Sequence, residues 1–324
     1  MSKRDEILRA TAEAARILAN YPAGRRTSFD IIGFVTDQGI PLLFRPLDQL
    51  WGAYVRLGTR RGILVTTKLG LAIQRFTLAH ELGHHVLGHG SSMDLTLGFQ
   101  GRINNGHRAA AEAAADTFAA ELLASKHLML NSAKRKGWNR EALHDPNNIY
   151  QLALRLGISY EAACWGLVAS DVVTRRTAET LLDKPVKECK LALAPSDLIS
   201  NSWADVWKLD RADSSTHIEA APDDLFAVHV QDHASAGYLW RVVDASPHAE
   251  IVAERGVDVK DVYGLPTSRV IFVRFRSGGC HQLLFEHTRP WNETTVDRIE
   301  IEIDGHGKEQ EGLARRAKIS SLGG

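Results

Sequence analysis

The sequence predicts a multidomain protein: an α+β N-terminal unit, a helix-turn-helix-like helical segment and an all-β C-terminal sandwich. Three observations carry this. The chain has 324 residues, more than one ordinary core holds. Two helix-period stretches, 71–87 and 108–125, follow a hairpin signal. Beyond about residue 200 the apolar period changes from helical to alternating. The expected division is 1–130, then 131–185, a linker at 186–199, the sandwich at 200–304 and a loose charged tail at 305–324.

Residues 3–20 carry Ile7, Leu8, Ala14, Ala15 and Leu18 at helical spacing, with Thr11 the one polar residue on that face. Pro22 and Gly24 end this helix. Thr27 or Ser28 is the expected cap of a second helix through Phe29, Ile32 and Val35, stopping at Gly39. Residues 41–44 read as a strand. The stretches 53–57 and 63–67 flank Gly58 to Gly62, a hairpin signal. The two longer helices follow, separated by a loop rich in Gly, Ser and Asn at 88–106. Residues 147–168 read as helix, turn and helix, with Gly157 in the turn and Ser159 as the second cap. Further on, Phe226, Val228 and Val230 alternate, as do Ile299, Ile301 and Ile303, and more loosely Val270, Phe272 and Phe275. Short strands between turn residues predict a β-sandwich.

Composition narrows the partners. Hydrophobic residues make up 44% and charged residues 24%, a globular balance. Lys+Arg and Asp+Glu are both 39, so net charge argues for neither nucleic acid nor membrane. Cys164, Cys189 and Cys280 are widely spaced, as expected of reduced thiols. With no apolar leader pattern and no membrane-length run, a cytoplasmic protein is expected.

The chemistry lies in His80-Glu81-Leu82-Gly83-His84, an HExxH motif. Residues i and i+4 share a helical face, so two imidazoles can point at one ion. Glu81 is rotated off that line, close enough to take a proton from a zinc-activated water whose pKa falls to about 7. A catalytic zinc needs a third protein ligand. Glu112 is the best candidate, with Asp116 one turn later to hold a ligand histidine from outside. His89 and His107 are the alternatives. Gly88 and His89 miss the metzincin register by one residue, and His85 points off the motif face. The metal is expected to be zinc, although two histidines and a glutamate also bind manganese.

The run from Gly39 through Trp51-Gly-Ala-Tyr-Val-Arg, Gln74-Arg-Phe-Thr-Leu-Ala-His-Glu-Leu-Gly-His-His and Glu112-Ala-Ala-Ala-Asp-Thr-Phe-Ala-Ala-Glu-Leu-Leu resembles the ImmA/IrrE family of bacterial zinc metallopeptidases, with Ile149 to Ala163 matching its helix-turn-helix-like segment. About half the chain is covered. The resemblance implies a zincin-like (gluzincin) fold and a protein substrate, a helix-turn-helix transcriptional repressor. Its cleavage would derepress mobile-element, defence or stress genes. Family members often carry acidic residues where this chain has Ala113 and Ala114, which leaves Glu112 as the only acidic candidate ahead of Asp116. The strand 63–67 is the expected substrate-accepting edge. Tyr54 is a candidate to assist an oxyanion, with core packing as its alternative role. The helix from Tyr160 to Leu167 offers no Arg or Lys, so DNA binding is disfavoured.

Residues 200–304 resemble the chagasin-type cysteine-peptidase inhibitors. The carriers are His233-Ala-Ser-Ala-Gly-Tyr-Leu-Trp240, a loop at 263–266 and Arg289-Pro-Trp291-Asn292. The family's Asn-Pro-Thr-Thr-Gly loop is largely replaced, so the resemblance implies an immunoglobulin-like sandwich that recognises a protein partner or gates the peptidase. The competing reading of the whole chain is a sensor or docking module without turnover. The intact Glu81 argues against it.

Overall fold

The computed structural model describes residues 2–21, 24–91, 106–245, 248–256 and 266–316. The N-terminal part contains α1 (Lys3–Asn20), α2 (Ile31–Asp37), β1 (Leu42–Arg45), β2 (Gly52–Leu57), β3 (Arg60–Thr66), α3 (Leu71–Val86) and α4 (Gly106–Ala124). Pro22, the side chains of residues 106–108 and the stretch 92–105, which holds most of the expected loop, lie outside the described residues.

Two expectations shift here. The buried stripe of α1 is Ala10, Ala14 and Ile17, while Leu8 is 60% exposed. Alanine is favoured on that face because α1 lies directly against α4, and small side chains permit the approach. The second helix is capped by Asp30, whose carboxylate accepts from the Gly33 N–H at 2.8 Å, and not by Thr27 or Ser28.

Five helices follow: α5 (Lys126–Arg135), α6 (Pro146–Leu156), α7 (Tyr160–Ala169), α8 (Arg175–Leu182) and α9 (Val186–Leu193). Ser159 caps α7, as read from the sequence. The first core takes in Phe29, Leu78, Phe118, Leu152, Leu167 and Cys189 together, so one apolar interior runs through both 1–130 and 131–185. Residues 186–199, expected as a linker, instead form α9 and a short 3-10 turn, with Cys189 fully buried. Tyr160, Ala163, Cys164 and Leu167 of α7 face inward, which makes that helix a packing element. Among the described residues no single helix is long and apolar enough to cross a membrane.

The C-terminal part contains β4 (Val206–Leu209), β5 (Thr216–Glu219), β6 (Leu225–Asp232), β7 (Leu239–Ala245), β8 (Ala249–Gly256), β9 (Thr267–Phe275), β10 (Cys280–Arg289), β11 (Asn292–Asp304) and β12 (Gly312–Leu313). Two four-stranded sheets, β5-β11-β10-β7 and β4-β6-β9-β8, close over Trp207, Phe226, Ile271, Val273, Phe285, Ile299, Ile301 and Ile303. Val270 and Phe272 of β9 point the other way, into a smaller cluster with Ala194, Val206, Leu225 and Ala227. The two middle strands are therefore buried on both faces, β6 over Leu225–Val228 and β9 over Val270–Val273, so the alternation read from the sequence marks only one of the two apolar faces. Trp240 is a core aromatic, 5% exposed, whereas Trp291 is 73% exposed. Residues 263–265 of the expected loop lie outside the described residues.

Residues 305–316, expected as a loose tail, are a strap. β12 pairs antiparallel with β1 and completes the sheet order β12-β1-β3-β2. The Gln74 side chain accepts from the Glu309 N–H at 2.8 Å and donates to its carbonyl at 3.2 Å. Residues 317–324 lie outside the described residues.

Candidate metal centre

The centre is built by two helices held close together. A Cβ on Gly83 would lie 3.2 Å from the Ala115 Cα and 3.1 Å from the Phe118 ring. Glycine at that point lets α3 and α4 approach until residues on their facing sides meet. His80, Glu81 and His84 are buried on α3, at 2%, 0% and 2% exposure. Glu112 reaches across from α4.

Three donor atoms converge. His80 Nε2 and His84 Nε2 are 3.1 Å apart. Glu112 Oε2 lies 3.3 Å from the first and 3.5 Å from the second. Each residue offers one electron-pair donor to a common point. The outer nitrogens are also engaged. His80 Nδ1 donates to Asp116 Oδ1 at 2.9 Å, which leaves its Nε2 lone pair facing inward. His84 Nδ1 meets His89 Nδ1 at 3.0 Å.

The electrostatics ask for a cation. Burial disfavours the His80 imidazolium, but Asp116 and Glu112 outweigh it and push its pKa up to about 10. Burial raises the Glu112 carboxyl, yet His80 and His84 hold it well below the usual carboxylate range. A site that draws positive charge this strongly, lined by two imidazoles and a carboxylate, suits a divalent ion. The donor set therefore fits a metal.

The remaining candidates fall as follows. His89 touches His84 from outside and is not one of the converging donors. The His107 side chain lies outside the described residues. His85 is bonded to Tyr54, whose hydroxyl lies 3.1 Å from His85 Nδ1. Tyr54 is 2% exposed in the core. The expected substrate edge is corrected. β3 is central, between β1 and β2, so it has no open edge. Among the described residues β2 is the strand at the sheet margin beside α3, and a Cβ on its Gly52 would come 3.1 Å from Glu81 Oε1. A cleft of about 1600 Å³ is lined by His85 but by none of the three converging donors.

Sequence reading offers His89 as an alternative ligand and misses its contact with His84 Nδ1. Gly88 has φ +71, and the His89 N–H donates to the His84 carbonyl at 2.9 Å. This Schellman turn folds His89 back over His84. The signal is the glycine immediately after the helix.

No curated protein matches the chain. Among solved structures, the cysteine protease inhibitor EhICP2 from Entamoeba histolytica is similar at 13% identity and TM-score 0.29, covering 33% of this chain and 100% of that one. PbICP-C, solved in complex with falcipain-2, is similar at 11% identity and TM-score 0.23, over 33% of this chain and 95% of that chain. A Mycobacterium tuberculosis transcriptional regulator is similar at 12% identity and TM-score 0.32, over 83% of this chain and 76% of that one. Residues 35–167, which hold both donor helices, match the family model described as the IrrE N-terminal-like domain, Peptidase M78.

Proposed function

We propose that the protein is a zinc-dependent endopeptidase of the gluzincin type that cuts a helix-turn-helix transcriptional repressor and so derepresses mobile-element, defence or stress genes. The observation that carries this is the convergence of His80, His84 and Glu112 within 3.5 Å, inside the stretch that matches the peptidase family model.

His80, His84 and Glu112 are the proposed ligands. Asp116 orients His80, and His89 orients His84. Zinc held there would polarise the scissile carbonyl and acidify the attacking water. Glu81 is the general base: its carboxylate takes the water's proton and returns it to the departing amine. The outer margin of β2 is the proposed edge for an extended substrate, which would lie beside Glu81. Tyr54, bonded to His85, is proposed to brace this wall and not to reach the oxyanion. The C-terminal sandwich is proposed to recognise a protein partner.

The test compares new protein N-termini in host cells expressing wild type or Glu81→Gln, with metal content measured on both proteins. Cleavage confined to one or a few proteins, absent in Glu81→Gln at unchanged metal content, is the expected result. Identical profiles in cells that hold the host's helix-turn-helix repressors would overturn the reading.

A further inference from the structure

We propose that Cys280, Asp304 and His306 form a second metal site, separate from the one on α3 and α4, which takes a borderline-soft divalent cation such as zinc. The three residues each offer one donor atom, and these atoms lie within 4.8 Å of one another.

The fold places them together for a definite reason. Cys280 opens β10 and Asp304 closes β11, and the two are register partners in the antiparallel ladder. Directly opposed residues on such a ladder point to the same face. His306 follows two residues later in the turn. Its ring and backbone are fixed by Asp304, whose Oδ1 accepts from Nδ1 at 2.7 Å and from the His306 N–H at 3.2 Å. The turn itself is pinned by a Gly305 N–H donating to the Gly279 carbonyl at 2.8 Å. The ends of the two strands therefore hold the three side chains in one place.

The donor chemistry selects the ion. A thiolate, an imidazole and a carboxylate suit zinc, cobalt or cadmium, and they suit magnesium or calcium poorly. One thiolate and one carboxylate offset the charge of a divalent ion. All three residues line the large cleft, so an ion has a route in and a position left for water. The nearby cations do not oppose it. Arg26 is paired with Glu219 at 2.6 Å and Arg315 with Glu309 at 3.0 Å.

The position gives the site a consequence. Asp304 is the last residue of β11, and the strap to the peptidase sheet leaves from it. An ion bound here would fasten the root of that strap.

The experiment uses the full chain, reduced, stripped by a chelator and titrated with cobalt alone. The His80 site has no thiolate, so a thiolate-to-cobalt charge-transfer band reports on Cys280 and its neighbours independently of the peptidase reading. We expect that band to saturate, to vanish in Cys280→Ser and to persist in His84→Ala. Asp304→Asn should weaken cobalt binding at this site about tenfold or more. Cys280 is exposed, and circular dichroism checks that its serine variant is folded. Absence of the band in folded wild type at saturating cobalt, or its survival in Cys280→Ser, overturns the proposal.

Discussion

His80 and His84 are each held by a partner on the outer nitrogen, and the two partners differ in how readable they are. Asp116 follows Glu112 at i+4 on the same helix, a local pattern. His89 depends on a left-handed turn at Gly88, and only the folded chain shows it meeting His84. Removing either partner frees a ligand ring to rotate. Asp116→Ala and His89→Ala are each expected to weaken zinc binding about 10- to 100-fold, read by competition with a chromophoric chelator. Unchanged affinity in His89→Ala would make its contact incidental. A second residue carries a pH signature. His229 on β6 is pushed down to about 4, chiefly by burial and then by Lys208, with Asp210 opposing and Lys136 adding to the effect. The unfolded chain takes up a proton near pH 6.5, and the folded chain does so only near 4. Stability therefore falls as pH drops through that window. A displacement of this size corresponds to at most about 3 kcal/mol, and partial exposure reduces it to about 1 kcal/mol. His229→Gln should flatten the urea midpoint between those two pH values.

At the scale of the element, the helix pair is legible because both of its signals are local: the HExxH spacing on α3 and the Glu112–Asp116 spacing on α4. The distance between the helices is legible only through Gly83. Adding one methyl there places it 3.2 Å from a backbone carbon of α4, which cannot swing away. Gly83→Ala is expected to cost about 1–3 kcal/mol and to weaken metal binding at least about tenfold, because Glu112 moves away from the histidines with its helix. Thermal denaturation of the metal-free protein and a zinc titration separate the two effects. The elements that sequence reading misplaces are those whose role depends on distant partners. The face of α1 is only partly read: Ala14 lies on it as expected, but Ala10 is passed over because it looks weaker than Leu8 until α4 lies against it. β3 passes for an edge because nothing local in it reveals β1 on one side and β2 on the other. β12 is two residues long, too short for any period, and its pairing spans most of the chain.

Over the whole molecule, the sandwich is joined to the helical part by buried charge. Arg155, 2% exposed, donates to Asp213 at 2.8 Å, and Lys136 reaches the same carboxylate at 2.7 Å. Arg75 on α3 donates to Phe29 and Gly157 carbonyls and to Glu219 of the sandwich. The Arg75 contacts and the strap both bear on α3. The strap rests on Gln74, which is 1% exposed and lies on the same helix as His80. Its amide donates to the Thr66 and Glu309 carbonyls, and its carbonyl oxygen accepts from the Glu309 N–H. Leucine has nearly the same volume but none of this polarity. Gln74→Leu would leave the Glu309 peptide groups buried without those bonds, and each such group costs about 1–3 kcal/mol. The expected loss is about 3 kcal/mol in urea denaturation. Hydrogen exchange should rise first over residues 308–315, before the sandwich strands lose protection. If the strap merely lay on the surface, water would replace the lost partners, the variant would be near neutral, and exchange over the strap would already be fast in the wild type.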